Sequence, residues 1–333
     1  DAGRRGFVFA PFSRIILAMF NLREIRWKIT PHVEITLEPD RSLLVPLHRF
    51  NQVRVPVESN PTAAAFDGTH LWVTNSGSDS VSKIDITTNK VAATVPVGIN
   101  PWDIVFDGTH LWVTNLVDNT VSKINAATHQ VADTIGVGRS PHGLAFDGAH
   151  IWVANMVDNK LSKIDAVTNV VVASVEVRRW PSGLAFDGSH IWTADSGSNT
   201  VSKVNVSTDV VVTTVVVGKA PHGICFDGQN IWVANSQANN VSKINVNTNL
   251  VTATVQVGRE PTGVAFDGTH VWVANKAGTG VMNTVSRIHA TSNAVTATIG
   301  VGREPAGVAF DGTHIWVTNF GQNSVSKILG LPW

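Results

Sequence analysis

Two histidines, His142 and His222, occur in the same tripeptide, Pro-His-Gly, 80 residues apart. An imidazole titrates near neutral pH, so it can pass a proton, exchange hydrogen bonds or ligate a metal. Other residues at related positions could share such work. Trp102 and Asp103 follow Pro101, and Trp180 precedes Pro181. Arg139, Arg179, Lys219, Arg259 and Arg303 each stand two residues before a proline. Brought together, these side chains would offer aromatic faces, two imidazoles and a cationic rim. That chemistry suits an anionic or polar small molecule, or an acidic peptide segment. Glu260 and Glu304 follow two of the basic residues and partly cancel their charge. General acid–base work needs a positioned pair, and apart from Asp103 no carboxylate is partnered with either histidine. The chain therefore reads as having no catalytic set, no metal site and no cofactor.

The elements that must position these residues come from a repeat that begins at each proline. It reads PTAAAFDGTH at Pro61, PWDIVFDGTH at Pro101, PHGLAFDGAH at Pro141 and PSGLAFDGSH at Pro181. It continues as PHGICFDGQN at Pro221, PTGVAFDGTH at Pro261 and PAGVAFDGTH at Pro305. The spacing is 40 residues five times and then 44, where a longer loop spans Lys276–Thr284. Each unit holds four short runs rich in valine, isoleucine and threonine, and an Asp-Gly turn follows the first. Four strands per repeat, seven times over, predict an all-β fold: a seven-bladed β-propeller with four-stranded blades. The seventh copy stops after its third strand, and Asn51–Pro61 aligns with the fourth-strand segment Val91–Pro101. An N-terminal strand should therefore complete the last blade and close the ring. Closing about 270 residues costs roughly 5 kcal/mol of loop entropy. Burying a few strand side chains, at about 1.5–3 kcal/mol each, offsets that.

Positions repeated in every copy serve what every blade needs. Phe66, Asp67, Gly68, Trp72 and their counterparts read as inter-blade core and turn. His70, His110, His150, His190, His270 and His314 read as hydrogen-bonding ties of that turn rather than metal ligands. Points on separate blades lie on a ring, too far apart to share one ion. Lys83 and its counterparts in the third strand read as a solvated outer surface. Asn75 and its counterparts, with Asp195 in the fourth copy, read as caps of the following loop. The residue after each proline varies most: Thr62, Trp102, His142, Ser182, His222, Thr262 and Ala306. It opens the innermost strand and should approach the central channel on the basic side.

The run WVTN at Trp72–Asn75, Trp112–Asn115 and Trp316–Asn319 resembles the Tyr-Val-Thr-Asn signature of YVTN-type β-propeller repeats. Tryptophan replaces the family's tyrosine, and the chain has no tyrosine at all. The resemblance covers roughly residues 51–329 and implies an extracytoplasmic setting: periplasmic, secreted or cell surface. PHGICFDG at Pro221–Gly228 resembles a stretch of streptogramin B lyase, whose catalytic histidine would map to His222. That chemistry also uses glutamates and a divalent ion. At the matching places stand Ala220 and Ser236, so the resemblance supplies no acid.

Formal net charge is zero and a single cysteine, Cys225, is present, so no nucleic-acid partner and no intrachain disulfide are read. Residues 1–50 form a separate extension before the propeller of residues 51–333. They interleave eight basic residues with aromatics that include Phe7, Phe9, Phe12, Phe20 and Trp27. The apolar run Phe7–Leu22 is 16 residues long, short of the roughly 20 that a spanning helix needs. The extension reads as an arm that docks a protein partner, or an anchor on an anionic membrane surface. The chain as a whole reads as a non-catalytic binding or scaffold propeller. The alternative is a propeller enzyme that uses His142 and His222.

Overall fold

The computed structural model describes residues 52–277 and 283–329. The arm or anchor expected of residues 1–50 lies outside them. The described residues form seven separate four-stranded antiparallel sheets. Blade two shows the pattern: Pro101–Phe106, His110–Asn115, Thr120–Asn125 and Gln130–Gly136 run from the centre outward. First strands of successive blades contact one another all the way round, from Pro61–Phe66 back to Pro305–Phe310, so the ring is closed. The seventh sheet takes its outermost strand from Gln52–Pro56, which pairs with Ser324–Ile328 in the register Val53 to Lys327 and Val55 to Val325. The only helical turn among the described residues is Phe320–Gln322.

Each seam between blades holds one apolar cluster drawn from both sides. Trp72, Val81 and Val95 of blade one pack on Ile104, Leu111, Val113 and Ile124 of blade two. At the closing seam Val55, Trp316 and Val325 meet Leu71, Val73 and Ile84. All seven repeated tryptophans are fully buried, and the phenylalanines pack at the margins of the clusters.

The repeated aspartate sets the first turn. Asp67 Oδ1 accepts the backbone N–H of Thr69 at 2.8 Å and of His70 at 2.6 Å. Its Oδ2 accepts the indole N–H of Trp72 at 2.7 Å. The indole bond recurs in all seven blades. Gly68 follows in the left-handed region at φ 95°, a conformation that suits glycine. The histidine after the turn lies beside the same carboxylate, with His314 Nδ1 3.2 Å from Asp311 Oδ2. The turn is a wall element.

Two expectations are corrected. The third-strand lysines are not a solvated surface. Lys123 Nζ lies 4.7 Å from the centroid of the Trp112 ring, and donates to Ala166 O at 2.8 Å and Asn169 Oδ1 at 2.9 Å on the next blade. Lys327 does the same across the closing seam, to Ile86 O and Asn89 Oδ1. The tryptophan face attracts the cation, and the next blade's carbonyl removes the cost of burying it. Arg287 sits over Trp272 with Nε donating to Thr296 Oγ1. The Asn75 series are not loop caps but cross-strand staples: Asn115 Nδ2 donates to Thr120 Oγ1 and Ser122 Oγ, both at 2.9 Å.

Asp147→Ala would leave the buried indole of Trp152 without its acceptor and uncap the turn. The expected loss is about 1–3 kcal/mol, read as a lower denaturant midpoint with an unchanged slope. No change in midpoint would show that the carboxylate is dispensable to the wall.

Candidate functional site

A bulge at the start of each innermost strand decides which side chains reach the channel. In blade two Pro101 faces Asn115 but Ile104 faces Val113, so the inner strand carries one extra residue. Bulges re-aim side chains. Here the residues after the proline leave the ladder and turn toward the neighbouring blade and the axis. In five blades the second of them is glycine. A Cβ at Gly143, Gly183, Gly223, Gly263 or Gly307 would collide with the next blade's backbone carbonyl. Close approach around the axis depends on that missing atom.

A hydroxyl then ties most seams. Thr62 Oγ1 donates to Trp102 O at 2.7 Å, Thr114 Oγ1 to His142 O at 2.9 Å and Ser182 Oγ to His222 O at 3.3 Å. Thr262 Oγ1 donates to Ala306 O at 3.0 Å and Thr318 Oγ1 to Thr62 O at 2.8 Å. The hydroxyl comes either from the residue after the proline or from the threonine of the second strand. Only blades three and five have neither, because they pair His142 with Ala154 and His222 with Ala234.

The two histidines are brought together. Their ring centroids lie 5.2 Å apart in an edge-on arrangement, and Trp102 tilts against His142 at 4.9 Å. His142 is 7% exposed. Burial, and secondarily the neighbouring His222, hold its pKa well below the usual imidazole range, while a hydrogen bond with the Ser182 backbone opposes them. His142 thus sits buried in blade three at the position where other blades place a hydroxyl. His222 is only half-buried and lines an open cavity of about 520 Å³ with Ser236, Gln237, Asn239, Arg259, Glu260 and Thr262. Burial, and secondarily the Lys276 charge, lower its pKa.

Asp103 is spent on backbone. Its Oδ2 accepts Leu144 N–H across the seam at 2.8 Å and its Oδ1 accepts Ile104 N–H at 2.9 Å. Burial pushes its pKa up to about 6 against those bonds. Of the basic series, Arg259 lines the cavity. Arg139 pairs with Asp158 at 2.6 Å. Arg179, Lys219 and Arg303 are exposed. Trp180 lies over Gly197 with the Arg179 guanidinium 5.3 Å from its ring centroid, away from the cavity-lining set. The mouth is not a uniform basic crown, because Glu58, Asp79 and Asp118 occupy the corresponding loops of blades one and two. Among the described residues no cluster of three or more His, Cys, Asp or Glu could hold a metal ion.

Sequence reasoning missed Glu260 as a neighbour of His222. The repeat places it one copy later, beside Thr262, yet a loop that enters one blade borders the previous blade's inner strand. It read Asp195 as a loop cap and missed its burial. This residue replaces asparagine, is fully buried, and accepts from Ser202 Oγ at 2.7 Å and Thr200 Oγ1 at 3.1 Å. Burial pushes its pKa up to about 7, against those bonds and the Arg178 charge. The sequence carried a signal: Arg178 stands where five other copies have glycine.

A family profile described as YNCE-like beta-propeller matches residues 48–149. No curated protein matches the chain. Among solved structures, selenomethionine-substituted virginiamycin B lyase from Staphylococcus aureus superposes with a TM-score of 0.73 at 16% identity, covering 85% of this chain and 100% of that one. The same lyase in a catalytically inactive form, with quinupristin, gives 0.73 at 17%, again over 85% and 100%. Hydrazine synthase from Kuenenia stuttgartiensis gives 0.69 at 20%, over 81% and 95%. The chain is a seven-bladed β-propeller. Its repeat is similar to the YNCE-like propellers, and its fold is shared with the streptogramin B lyases.

Asp195→Asn tests the buried carboxylate. Its folded pKa, about 7, exceeds the unfolded value of 3.8, so the folded state holds the proton more tightly. Stability is full below the unfolded value and falls as pH rises toward 7. The variant should melt a few degrees higher than the parent at pH 8 and show a smaller difference at pH 4.5. Equal differences at both pH values would mean that Asp195 does not titrate in this range.

Proposed function

We propose that this chain is a non-catalytic binding propeller that seats a polar or anionic small molecule at the channel mouth. One observation carries the reading. His222 is a half-buried imidazole on the wall of an open cavity that Arg259 also lines. A neutral imidazole can donate at one nitrogen and accept at the other, and Arg259 supplies a fixed positive charge. Trp102 tilts against His142, and His142 meets His222 edge-on, so aromatic rings back the imidazole. Resemblance to YVTN-type propellers supports an extracytoplasmic setting. The apolar, basic composition of residues 1–50 supports a subunit that docks on a protein partner or a membrane surface.

A second reading rests on Glu260, which lines the same cavity as His222. A carboxylate and an imidazole on one cavity wall are the parts of an acid–base pair, and the shared fold gives a lyase as the example.

The test is a thermal-shift screen of carboxylate and phosphate metabolites on the parent, His142→Ala and His222→Ala. The expected outcome is a stabilising ligand whose effect disappears in His222→Ala, while His142→Ala mainly lowers the unliganded melting temperature. A ligand that binds both variants as it binds the parent would remove the site from the mouth. Turnover of quinupristin that is lost in both His222→Ala and Glu260→Gln would replace binding with catalysis.

A further inference from the structure

The mouth loops that the His222 cavity leaves unused differ by blade. On blades two and three they expose aliphatics: Ile99, Val117 and Val157, with Val117 54% exposed. On blade four they expose three consecutive residues, Arg178, Arg179 and Trp180.

Trp180 is the exceptional one. It holds φ at 57°, in the left-handed region, and is 49% exposed. The same position in the other blades carries Asn60, Asn100, Ser140, Ala220, Glu260 and Glu304. A bulky side chain there is unfavourable, and strain of this kind concentrates at functional sites. The loop holds it firmly. Its N–H donates to Asn159 Oδ1 at 2.9 Å, and its carbonyl accepts Ser196 N–H at 3.0 Å and Ser196 Oγ at 2.9 Å. The indole packs on Gly197, where a Cβ would come within 2.9 Å of the ring. Arg179 lies over the ring. The Arg178 charge reaches the buried Asp195, and Arg179 has no ion-pair partner among the described residues, whereas the nearby Arg139 is paired with Asp158.

We propose that the mouth face of blades two to four docks an extended segment of another polypeptide, apolar toward one end and acidic toward the other. Its apolar residues lie on Ile99, Val117 and Val157, and its carboxylates on Arg178 and Arg179, with Trp180 as the anchor. Rigid tryptophan and arginine are the residue types that dominate protein interfaces. The adjoining aliphatics fit a polypeptide better than a phosphate backbone. This site is separate from the His222 cavity and stands without it.

The experiment uses the full chain and fluorescent synthetic peptides. One peptide has a Leu-Ile-Val block followed by glutamates with a central phenylalanine. A second has lysines in place of the glutamates. An oligothymidylate of equal charge competes. Trp180→Asn installs the residue that blades one and two carry, so the loop keeps its fold. The acidic peptide should bind saturably and the lysine peptide should not. Affinity should fall about ten-fold or more in Trp180→Asn and in Arg179→Glu, and His222→Ala should leave it unchanged. Affinity that is insensitive to both blade-four substitutions would overturn the proposal. So would an oligothymidylate that binds more tightly through the same residues, which would assign the face to nucleic acid.

Discussion

A tryptophan buried out of reach of water keeps one donor, the indole N–H, that must find a partner inside the protein. In this ring that need recurs seven times, and the aspartate of the first turn meets it each time. The same carboxylate caps the turn, so indole position and turn geometry are fixed together. Six of the tryptophans carry a lysine ammonium over the ring, and that ammonium ends on the next blade's backbone. One chain of contacts thus runs carboxylate, indole, ammonium, carbonyl, from one sheet to the next. Apolar burial supplies the bulk of the stability, and these contacts add a polar tie from each blade to the next.

Because every blade must satisfy these contacts, chemistry specific to one place is confined to positions the wall does not use. The residue after the proline is one of them, and even there the seam asks for a hydroxyl. His142 and His222 stand in the two blades that have no hydroxyl to give. This separates residues that look alike in sequence. His142, buried and facing Ser182, completes the wall, while His222 keeps surface for a ligand. Asp103 follows the same logic. It replaces a glycine at the point of closest approach, and its carboxylate is consumed by the backbone that the approach brings near.

The architecture was legible because repetition is an internal alignment. Seven prolines, seven Asp-Gly turns and a truncated last copy gave the blade count and the closing strand. The site was less legible because it depends on which neighbour a loop faces, and the repeat unit hides that. Glu260 reads as a residue of copy six but borders the inner strand of copy five. Lys83 and its counterparts read as surface because a lone lysine in a strand usually is; the tryptophan face beneath and the carbonyl opposite appear only when blades are set side by side. Asp195 and Arg178 were both visible as departures, yet nothing in the sequence put them near each other.

The departures are not scattered evenly, and closure explains why. The seam between blades seven and one joins ends far apart in the chain, and it uses the standard contacts in full. Thr318 Oγ1 staples it to the Thr62 carbonyl, Lys327 reaches Ile86 and Asn89, and Asn60 N–H adds a bond to Asn323 Oδ1. A weakened contact at this seam would compound the loop entropy of closure. Blades two to five lie toward the far side of the ring, where each sheet is continuous in sequence and both neighbours are covalently adjacent. Those blades carry Trp102, Asp103, Asp195, His222 and the strained Trp180. Polar burial and backbone strain each lower stability, and they sit where no long-range joint depends on them. The ring can hold an asymmetric mouth because its symmetric wall is complete where it must be.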